Sequence, residues 1–291
     1  MAPRITKLDV PVSVLGEGPV WSDRDACLYF VDILSNRLQA YSPAGGQYRQ
    51  WTFETYVASL AECKSGGLVL SLGDRVVRFD PSRGESSVEE LVVLERDRPK
   101  NRLNDGKADA WGRFWVGSIQ KDETSPDARL WCVLPSGEAR LMREGITVSN
   151  SIAFDAERER MYFADSPTGL IEQATLGKSG ELSSFTPFAR AGKGAPDGSC
   201  TDREGYLWNG EWGGHRICRY APDGSLDRVV DMPVSRPSCC TFGGADYRTL
   251  FVTSAKVGMS EEELRKDPHA GSLYSVELED AQGLPADVFG L

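Results

Sequence analysis

The sequence is poor in histidine: its 291 residues include only two, His215 and His269. A His-rich zinc site is therefore excluded, and a Ser-His-Asp triad could draw on only these two imidazoles. Any metal ion in this protein must be held mainly by oxygen atoms. Oxygen ligands suit Ca²⁺, Mg²⁺ and Mn²⁺, while Fe²⁺ and Zn²⁺ stay open as alternatives.

Long apolar runs are also missing. No stretch approaches the roughly 20 residues that a membrane helix needs. The N-terminus, MAPRITKLDVPVSVLGEGPVW, lacks the uncharged apolar core of a signal peptide. The seven cysteines are odd in number and form no CxxC pair, which predicts reduced thiols in a cytoplasmic protein. We therefore expect no membrane partner, and we expect a monomer or a weak homo-oligomer.

Clusters of basic residues are lacking as well. Lys and Arg number 33 against 43 Asp and Glu, so the formal net charge is −10. Because neutralising phosphates requires clustered positive charge, nucleic acid is not an expected partner. The hydrophobic fraction of 40% and the charged fraction of 26% are ordinary for a globular protein and do not indicate disorder.

Six short segments that look alike recur along the chain. Their sequences are LYFVD, LVLSL, FWVGS, MYFAD, LWNGE and LFVTS, which start at residues 28, 68, 114, 161, 207 and 250. Each is rich in aromatic and β-branched residues, and each follows a turn rich in Asp, Gly, Arg or Glu. A repeat of about 40–50 residues made only of strands and turns is typical of a propeller. The sequence predicts an all-β, six-bladed β-propeller with four-stranded antiparallel blades around a central channel, in a single domain over residues 1–291.

Two further segments complete this prediction. Residues 5–14 alternate in polarity, so we expect them to complete the last blade and close the ring. One helix is expected over residues 259–267, because Ser260 precedes three glutamates there and basic residues follow.

Four blades carry an oxygen-bearing side chain at the expected start of their innermost strand. These residues are Glu17, Asn104, Asn150 and Asp197. The last three are 46 and 47 residues apart, which is one blade each, and Glu17 lies two blades before Asn104. Because the inner strands of a propeller line its axis, the four side chains are expected to converge there. Two carboxylates and two amides, with water, would form an oxygen site for one divalent cation.

Five stretches around these positions are distinctive: LGEGPVW, NRLNDGKADAWGRFWVGS, SNSIAF, YFADS and PDGSCTDREGYLWNGEWGG. They resemble the senescence marker protein, gluconolactonase and regucalcin family from about residue 14 to residue 276. The resemblance implies a six-bladed propeller with a single catalytic divalent metal ion, and lactone hydrolysis as the usual activity. It also implies that Glu17, Asn150 and Asp197 are metal ligands. Asn104 matches an amide that contacts substrate or serves as a fourth ligand in some relatives.

The resemblance implies substrate contacts as well. Arg102 matches an arginine that binds sugar hydroxyls, and Asp122 is the nearest match to an acidic residue after the third repeated strand, with Glu123 one residue away. For the chemistry, a cation would stabilise the negative charge that builds on oxygen when water attacks the lactone carbonyl. Either Asp197 or Asp105 is a candidate to accept the proton from that water.

Three functions are compatible with these features. The leading hypothesis is metal-dependent hydrolysis of a sugar lactone, of the glucono-, xylono-, arabinono- or a similar type, to the open-chain aldonic acid. The second is hydrolysis of phosphotriesters or aryl esters at the same metal site. The third is a non-enzymatic propeller that binds calcium or a protein. Convergent unpaired carboxylates speak against the third, because a scaffold gains nothing from their desolvation cost.

Overall fold

The computed structural model of the chain describes residues 3–291. The first twelve strands are β1 (Arg4–Lys7), β2 (Gly16–Ser22), β3 (Cys27–Asp32), β4 (Arg37–Ser42), β5 (Gln47–Thr52), β6 (Val57–Glu62), β7 (Leu68–Leu72), β8 (Arg75–Phe79), β9 (Glu89–Val93), β10 (Asn101–Ala108), β11 (Phe114–Gln120) and β12 (Ala128–Val133). The next twelve are β13 (Ala139–Ile146), β14 (Ser149–Asp155), β15 (Arg160–Asp165), β16 (Leu170–Thr175), β17 (Thr186–Arg190), β18 (Ala195–Thr201), β19 (Leu207–Trp212), β20 (Arg216–Tyr220), β21 (Leu226–Asp231), β22 (Pro237–Gly243), β23 (Thr249–Ser254) and β24 (Tyr274–Glu277).

These strands form six antiparallel sheets of four strands each. Five sheets follow chain order from β2 to β21, and the sixth has the order β1-β24-β23-β22. The innermost strands are β2, β6, β10, β14, β18 and β22; each contacts the inner strand of the next blade, and the last contacts the first. The six repeated segments all lie in the second strand of a blade. The predicted six-bladed propeller is therefore confirmed.

The ring is closed by the two ends of the chain. Strand β1 pairs with β24, from Arg4 opposite Glu277 to Lys7 opposite Tyr274. The expectation that residues 5–14 complete the last blade is thus correct for their first part. The predicted helix is also confirmed: α1 (Glu261–Lys266) begins at Ser260, which forms a capping box with Glu263. No helix among residues 3–291 is long and apolar enough to cross a membrane.

In two blades, a buried aspartate in the turn before the repeated strand accepts hydrogen bonds that fix the turn. Asp109 accepts hydrogen bonds from the backbone N–H groups of Trp111 and Arg113 at 3.0 Å and from the indole Nε1 of Trp115 at 2.7 Å. Asp202 accepts an indole hydrogen bond from Trp208 at 2.9 Å in the fifth blade. These bonds fix the turn and hold the tryptophan between blades. The aspartate and the tryptophan of these two stretches therefore serve the fold.

All six inner strands carry one extra residue at a similar point. Between Glu17 and Val20, for example, two residues of β2 face a single residue of β3. Equivalent register shifts occur in β6, β10, β14, β18 and β22. A β-bulge bends a strand and redirects the side chains beside it. The bulges therefore form a ring of irregular backbone around the channel, next to the polar residues described below.

The far end of the channel is covered by the C-terminal segment. The backbone N–H of Phe289 donates to the carbonyl oxygen of Glu62 at 2.7 Å, and that of Gly290 donates to Gly112 at 2.9 Å. The Phe289 side chain is fully buried. A cavity of about 150 Å³ lies at this end, with Lys107 and residues of the segment 284–287 in its wall. A larger cavity opens at the opposite face, where the inner strands begin.

Candidate metal centre and active site

A cavity of about 360 Å³ opens where the inner strands begin. Its walls include Glu17, Asn104, Asn150 and Asp197. The exposed fractions of these residues are 9%, 8%, 6% and 5%. The structure thus brings together all four residues that the sequence aligned, at one end of the channel.

The bulges place the four residues in two different ways. Glu17 and Asn150 are the last residues paired before the bulge of their strand. Asn104 and Asp197 are the first residues inside the bulge. The four therefore reach the same cavity from positions that differ by one residue, and this shift depends on the backbone irregularity of each blade.

Two glycines beside the carboxylates make this backbone path feasible. Gly18, after Glu17, has a φ of +50°, in the left-handed region that favours glycine. At Gly198, after Asp197, a Cβ atom would lie only 2.9 Å from the Cα of Cys239 in the next blade. Larger residues at these positions would displace the neighbouring strand or strain the bulge.

Hydrogen bonds fix the orientation of both amides. The Nδ2 group of Asn150 donates to the Oγ of Ser166 at 2.8 Å, and that hydroxyl donates to the carbonyl of Pro196 at 2.7 Å. The oxygen of Asn150 accepts from the Nδ2 of Asn104 at 3.1 Å. The oxygen of Asn104 in turn accepts from Nη1 of Arg102 at 2.7 Å. These bonds fix the side-chain oxygen of Asn150 in an orientation suited to a metal ligand. Asn104, which was also predicted as a ligand, points its N–H group and not its oxygen toward Asn150.

The two carboxylates are buried, and neither forms an ion pair with a side chain of residues 3–291. Burial and the nearby charge of Asp105 raise the pKa of Glu17 to about 8, although the N–H of Gly18 donates to its Oε2 at 3.1 Å. Burial and the charge of Glu17 raise the pKa of Asp197 well above its usual value. A carboxylate pair whose ionisation is so unfavourable suits a bound cation, since only a nearby positive charge offsets the cost.

The chemistry of this donor set agrees with one hard or borderline divalent cation. Glu17 and Asp197 supply two carboxylates, and Asn150 supplies a neutral oxygen. Within residues 3–291, no group of three or more His, Cys, Asp and Glu side chains is placed to hold a metal ion. The candidate centre therefore depends on its amide oxygen, and it leaves positions free for water or substrate.

Asp105, one of the two candidate proton acceptors, lies outside the cavity wall. It is buried, and its Oδ2 accepts a hydrogen bond from the backbone N–H of Ile152 at 2.8 Å. This bond joins the inner strands of the third and fourth blades. Burial raises the pKa of Asp105. Its observed hydrogen bond joins two strands, and of the two candidate proton acceptors only Asp197 lines the cavity.

Glu123, not Asp122, contributes to the cavity wall. The Asp122 side chain is exposed and accepts a hydrogen bond from the Oγ1 of Thr124 at 3.0 Å. Glu123 has a left-handed backbone conformation, with a φ of +54°. A residue in this conformation departs from the alternation of an extended chain, so Glu123 reaches the cavity wall, whereas the predicted substrate contact Asp122 does not line it.

Several residues of the cavity were not predicted from the sequence. One is Tyr56, whose ring lies under the guanidinium of the predicted residue Arg102, at 5.7 Å from the ring centroid. Lys121 lies in the wall beside it. Apolar side chains, among them Leu34 and Trp212, also line the cavity. An apolar residue or a single lysine belongs to no recognisable sequence motif. Only the folded structure shows that these side chains line one cavity.

Comparisons with known proteins agree with this architecture. The chain is 35% identical to L-arabinolactonase of Azospirillum brasilense over 275 residues, covering 92% of this chain and 90% of the relative. It is 32% identical to 6-deoxy-6-sulfogluconolactonase of Pseudomonas putida over 269 residues, covering 91% and 92%. The structure of regucalcin from Agrobacterium tumefaciens, described as a calcium-binding protein, superimposes with a TM-score of 0.93 at 25% identity, covering 100% and 98%. The family described as SMP-30/Gluconolactonase/LRE-like region matches residues 15–256, and this chain belongs to that family.

Proposed function

We propose that this protein hydrolyses a sugar lactone to the open-chain aldonic acid with the help of one divalent cation. The observation that carries the proposal is the pair of buried carboxylates, Glu17 and Asp197, which line the same cavity as the oriented amide of Asn150 and form no ion pair within residues 3–291. The relatives support the substrate class, because two of them are lactonases of sugar acids. The calcium-binding regucalcin of Agrobacterium tumefaciens supports the choice of a divalent ion.

The metal would be held by Glu17, Asn150 and Asp197. When bound there, a divalent cation supplies Lewis-acid polarisation of the lactone carbonyl and stabilises the negative charge that develops on its oxygen. Asn104 keeps the amide of Asn150 oriented, because it donates to the Asn150 oxygen. Calcium, magnesium, manganese, zinc and iron(II) all remain candidates for this donor set.

Asp197 is the residue that we propose to move the proton. It lies in the cavity wall, and its carboxylate, once its buried charge is balanced, can accept a proton from the attacking water. The water oxygen forms a bond to the carbonyl carbon, and the bond from that carbon to the ring oxygen then breaks. The proton held by Asp197 is returned to the departing ring oxygen, so the products are a carboxylate and a hydroxyl group with one proton released to solvent.

The rest of the cavity positions the sugar. A volume of about 360 Å³ is enough for one small ring. The guanidinium of Arg102 and the carboxylate of Glu123 lie in the wall and are suited to bind hydroxyl groups. The apolar side, with Leu34 and Trp212, can pack against the C–H face of the ring and limit the entry of further water.

Reconstitution of the metal-stripped protein tests the proposal. We expect no lactone hydrolysis by the stripped protein and recovery with one equivalent of a suitable cation, measured as proton release above the spontaneous rate. The substrates are D-glucono-, D-xylono- and L-arabinono-lactones, with a phosphotriester and an aryl ester in parallel. Faster turnover of the phosphotriester or aryl ester would support the alternative hydrolase function. Stoichiometric calcium binding with no hydrolysis of any substrate would support a non-enzymatic propeller.

A second test concerns Arg102. We expect Arg102→Ala to raise the KM for the best neutral lactone by roughly 10- to 100-fold, because hydrogen bonds from a buried charged donor are lost. Metal content should stay near the wild-type value, since Arg102 is not among the proposed ligands. The control is Arg228→Ala, whose side chain pairs with Asp280 at 2.7 Å and does not line the cavity. Unchanged kinetics of the Arg102 variant would exclude this residue from substrate binding.

A further inference from the structure

Two cationic side chains line the cavity where it meets a neighbouring groove. Arg102 and Lys121 both line the cavity, and both also line the neighbouring groove of about 830 Å³. Tyr56, under the Arg102 guanidinium, lies at the same boundary. The backbone holds Lys121 in place, because its N–H donates to the carbonyl of Lys100 at 3.0 Å. We refer to Arg102 and Lys121 together as the basic edge.

Neither cation of the basic edge is neutralised by an ion pair with a carboxylate of residues 3–291. Arg102 uses Nη1 for two neutral acceptors, the carbonyl oxygen of Leu103 at 3.0 Å and the amide oxygen of Asn104 at 2.7 Å. Lys121 donates from Nζ to the carbonyl oxygen of Pro99 at 3.1 Å. Burial lowers the pKa of Arg102 to about 10, so the guanidinium is still charged at neutral pH. The basic edge therefore has donors and charge left for a ligand.

The charge balance of the cavity points to the same conclusion. Five charged side chains line it: Glu17, Asp197, Glu123, Arg102 and Lys121. One divalent cation balances Glu17 and Asp197, and the remaining three side chains then carry a net charge of about +1. The net charge of this cavity would thus be positive, whereas the net charge of the whole chain is −10. Such a site favours an anionic group at the basic edge over a neutral one.

We propose that the substrate is a lactone with a second, anionic group, a carboxylate or a phosphate, remote from the ring carbonyl, and that Arg102 and Lys121 bind this group. This inference rests on the proposed lactonase function, because the position of the ring carbonyl is set by the proposed cation centre. A neutral sugar lactone could accept hydrogen bonds from the basic edge but would not balance its positive charge. The anionic substituent would lie at the boundary with the groove beyond Tyr56, beside Arg102 and Lys121, because the wall of that groove also carries acidic side chains such as Glu54 and Asp74.

The test uses pairs of lactones that differ in one substituent. D-Glucono-1,5-lactone is compared with its 6-phosphate. D-Glucono-1,4-lactone is compared with D-glucaro-1,4-lactone, which carries a carboxylate at C6. We expect kcat/KM to be at least about tenfold higher for at least one anionic member than for its neutral partner. A tenfold increase is the size of effect that one additional charge-assisted hydrogen bond can produce. The arm that shows the preference identifies the anion as phosphate or carboxylate.

The variant Lys121→Gln assigns the preference to the basic edge. We expect it to lower the anionic-to-neutral ratio of kcat/KM by about tenfold, mainly through KM, and to make the reaction less sensitive to salt. Lys100→Gln is the matched control, because Lys100 is an exposed lysine of the adjacent segment outside the cavity wall and should keep the wild-type ratio. Neutral lactones hydrolysed as well as both anionic ones, or an unchanged ratio in Lys121→Gln, would overturn the inference while the lactonase function stands. Hydrolysis of no lactone at all would instead refute the proposed function.

Discussion

Replacing Asp197 by Asn is expected to abolish stoichiometric metal binding and to lower kcat/KM for the best lactone by at least about 10³-fold. The reason is that one side chain is proposed to do two tasks, to hold the cation and to accept the proton from water. A loss of 10³-fold corresponds to about 4 kcal/mol of transition-state stabilisation. Glu17→Gln and Asn150→Ala should also lose metal and activity, but less severely, because neither residue is proposed to transfer a proton.

The measurements are metal content by elemental analysis, steady-state kinetics, and thermal unfolding of the metal-free proteins. Metal-free Asp197→Asn should unfold at a temperature no lower than metal-free wild type, because the substitution removes a buried carboxylate that Glu17 repels. Asp105→Asn serves as the matched control: it is an equally buried acid of the channel that lies outside the cavity wall. It should retain the metal and most of the activity.

These outcomes separate the two candidate proton acceptors. If Asp105→Asn keeps its metal but loses activity, Asp105 is the proton acceptor and our assignment of Asp197 to that task is wrong. If Glu17→Gln, Asn150→Ala and Asp197→Asn all keep one metal ion and normal lactone hydrolysis, the proposed centre itself is refuted.

The sequence was sufficient to predict the blades because each blade repeats the same local physics. An apolar strand follows a turn whose aspartate binds backbone and indole N–H groups, as Asp109 and Asp202 do. Such contacts are local, so they leave a periodic trace in the chain. The inner-strand bulges leave no comparable trace. Counting one residue per blade aligned Glu17 with Asn104, although the first is paired before its bulge and the second lies inside it.

Side-chain direction was the other feature that sequence could not supply. Counting from the third repeated strand selected Asp122, but the left-handed conformation of Glu123 brings that residue to the cavity instead. Asp105 stands next to Asn104 in the chain, yet it hydrogen-bonds Ile152 of the next blade. Both differences depend on contacts or backbone angles set by the assembled ring, which a single sequence does not encode in any local pattern.

The affinity for the divalent cation is expected to rise steeply with pH until about pH 8. In the metal-free protein, burial and the charge of Asp105 raise the pKa of Glu17 from 4.5 to about 8. Below pH 8 the folded protein therefore holds a proton on Glu17, and a cation can bind only by displacing it. Displacement of one proton makes the affinity change about tenfold per pH unit. The raised pKa of Asp197 adds to this dependence, because its carboxyl group must also lose a proton before it can hold a cation.

The stability of the metal-free protein should change with pH in the opposite direction. Between pH 4.5 and about 8, Glu17 is protonated in the folded state but ionised in the unfolded state, so the folded state binds more protons. Its free energy of unfolding then decreases as pH rises through this window. Glu211 provides an internal contrast: bonds to Arg216 and to backbone N–H groups lower its pKa to about 2 despite its burial, so it does not titrate in this window.

Calorimetric titration of the metal-free protein between pH 6 and 9, in buffers of different ionisation enthalpy, measures both the affinity and the number of protons released. We expect about one proton or more to be released at pH 6, and the contribution of Glu17 to this release to fall as the pH rises above 8. Glu17→Gln should bind the cation more weakly, and it should release at least about half a proton less at pH 7, because only Asp197 is left to deprotonate. A wild-type affinity that is constant from pH 6 to 8, with no proton release, would contradict a centre built on Glu17 and Asp197, since a cation that binds elsewhere has no reason to displace their protons.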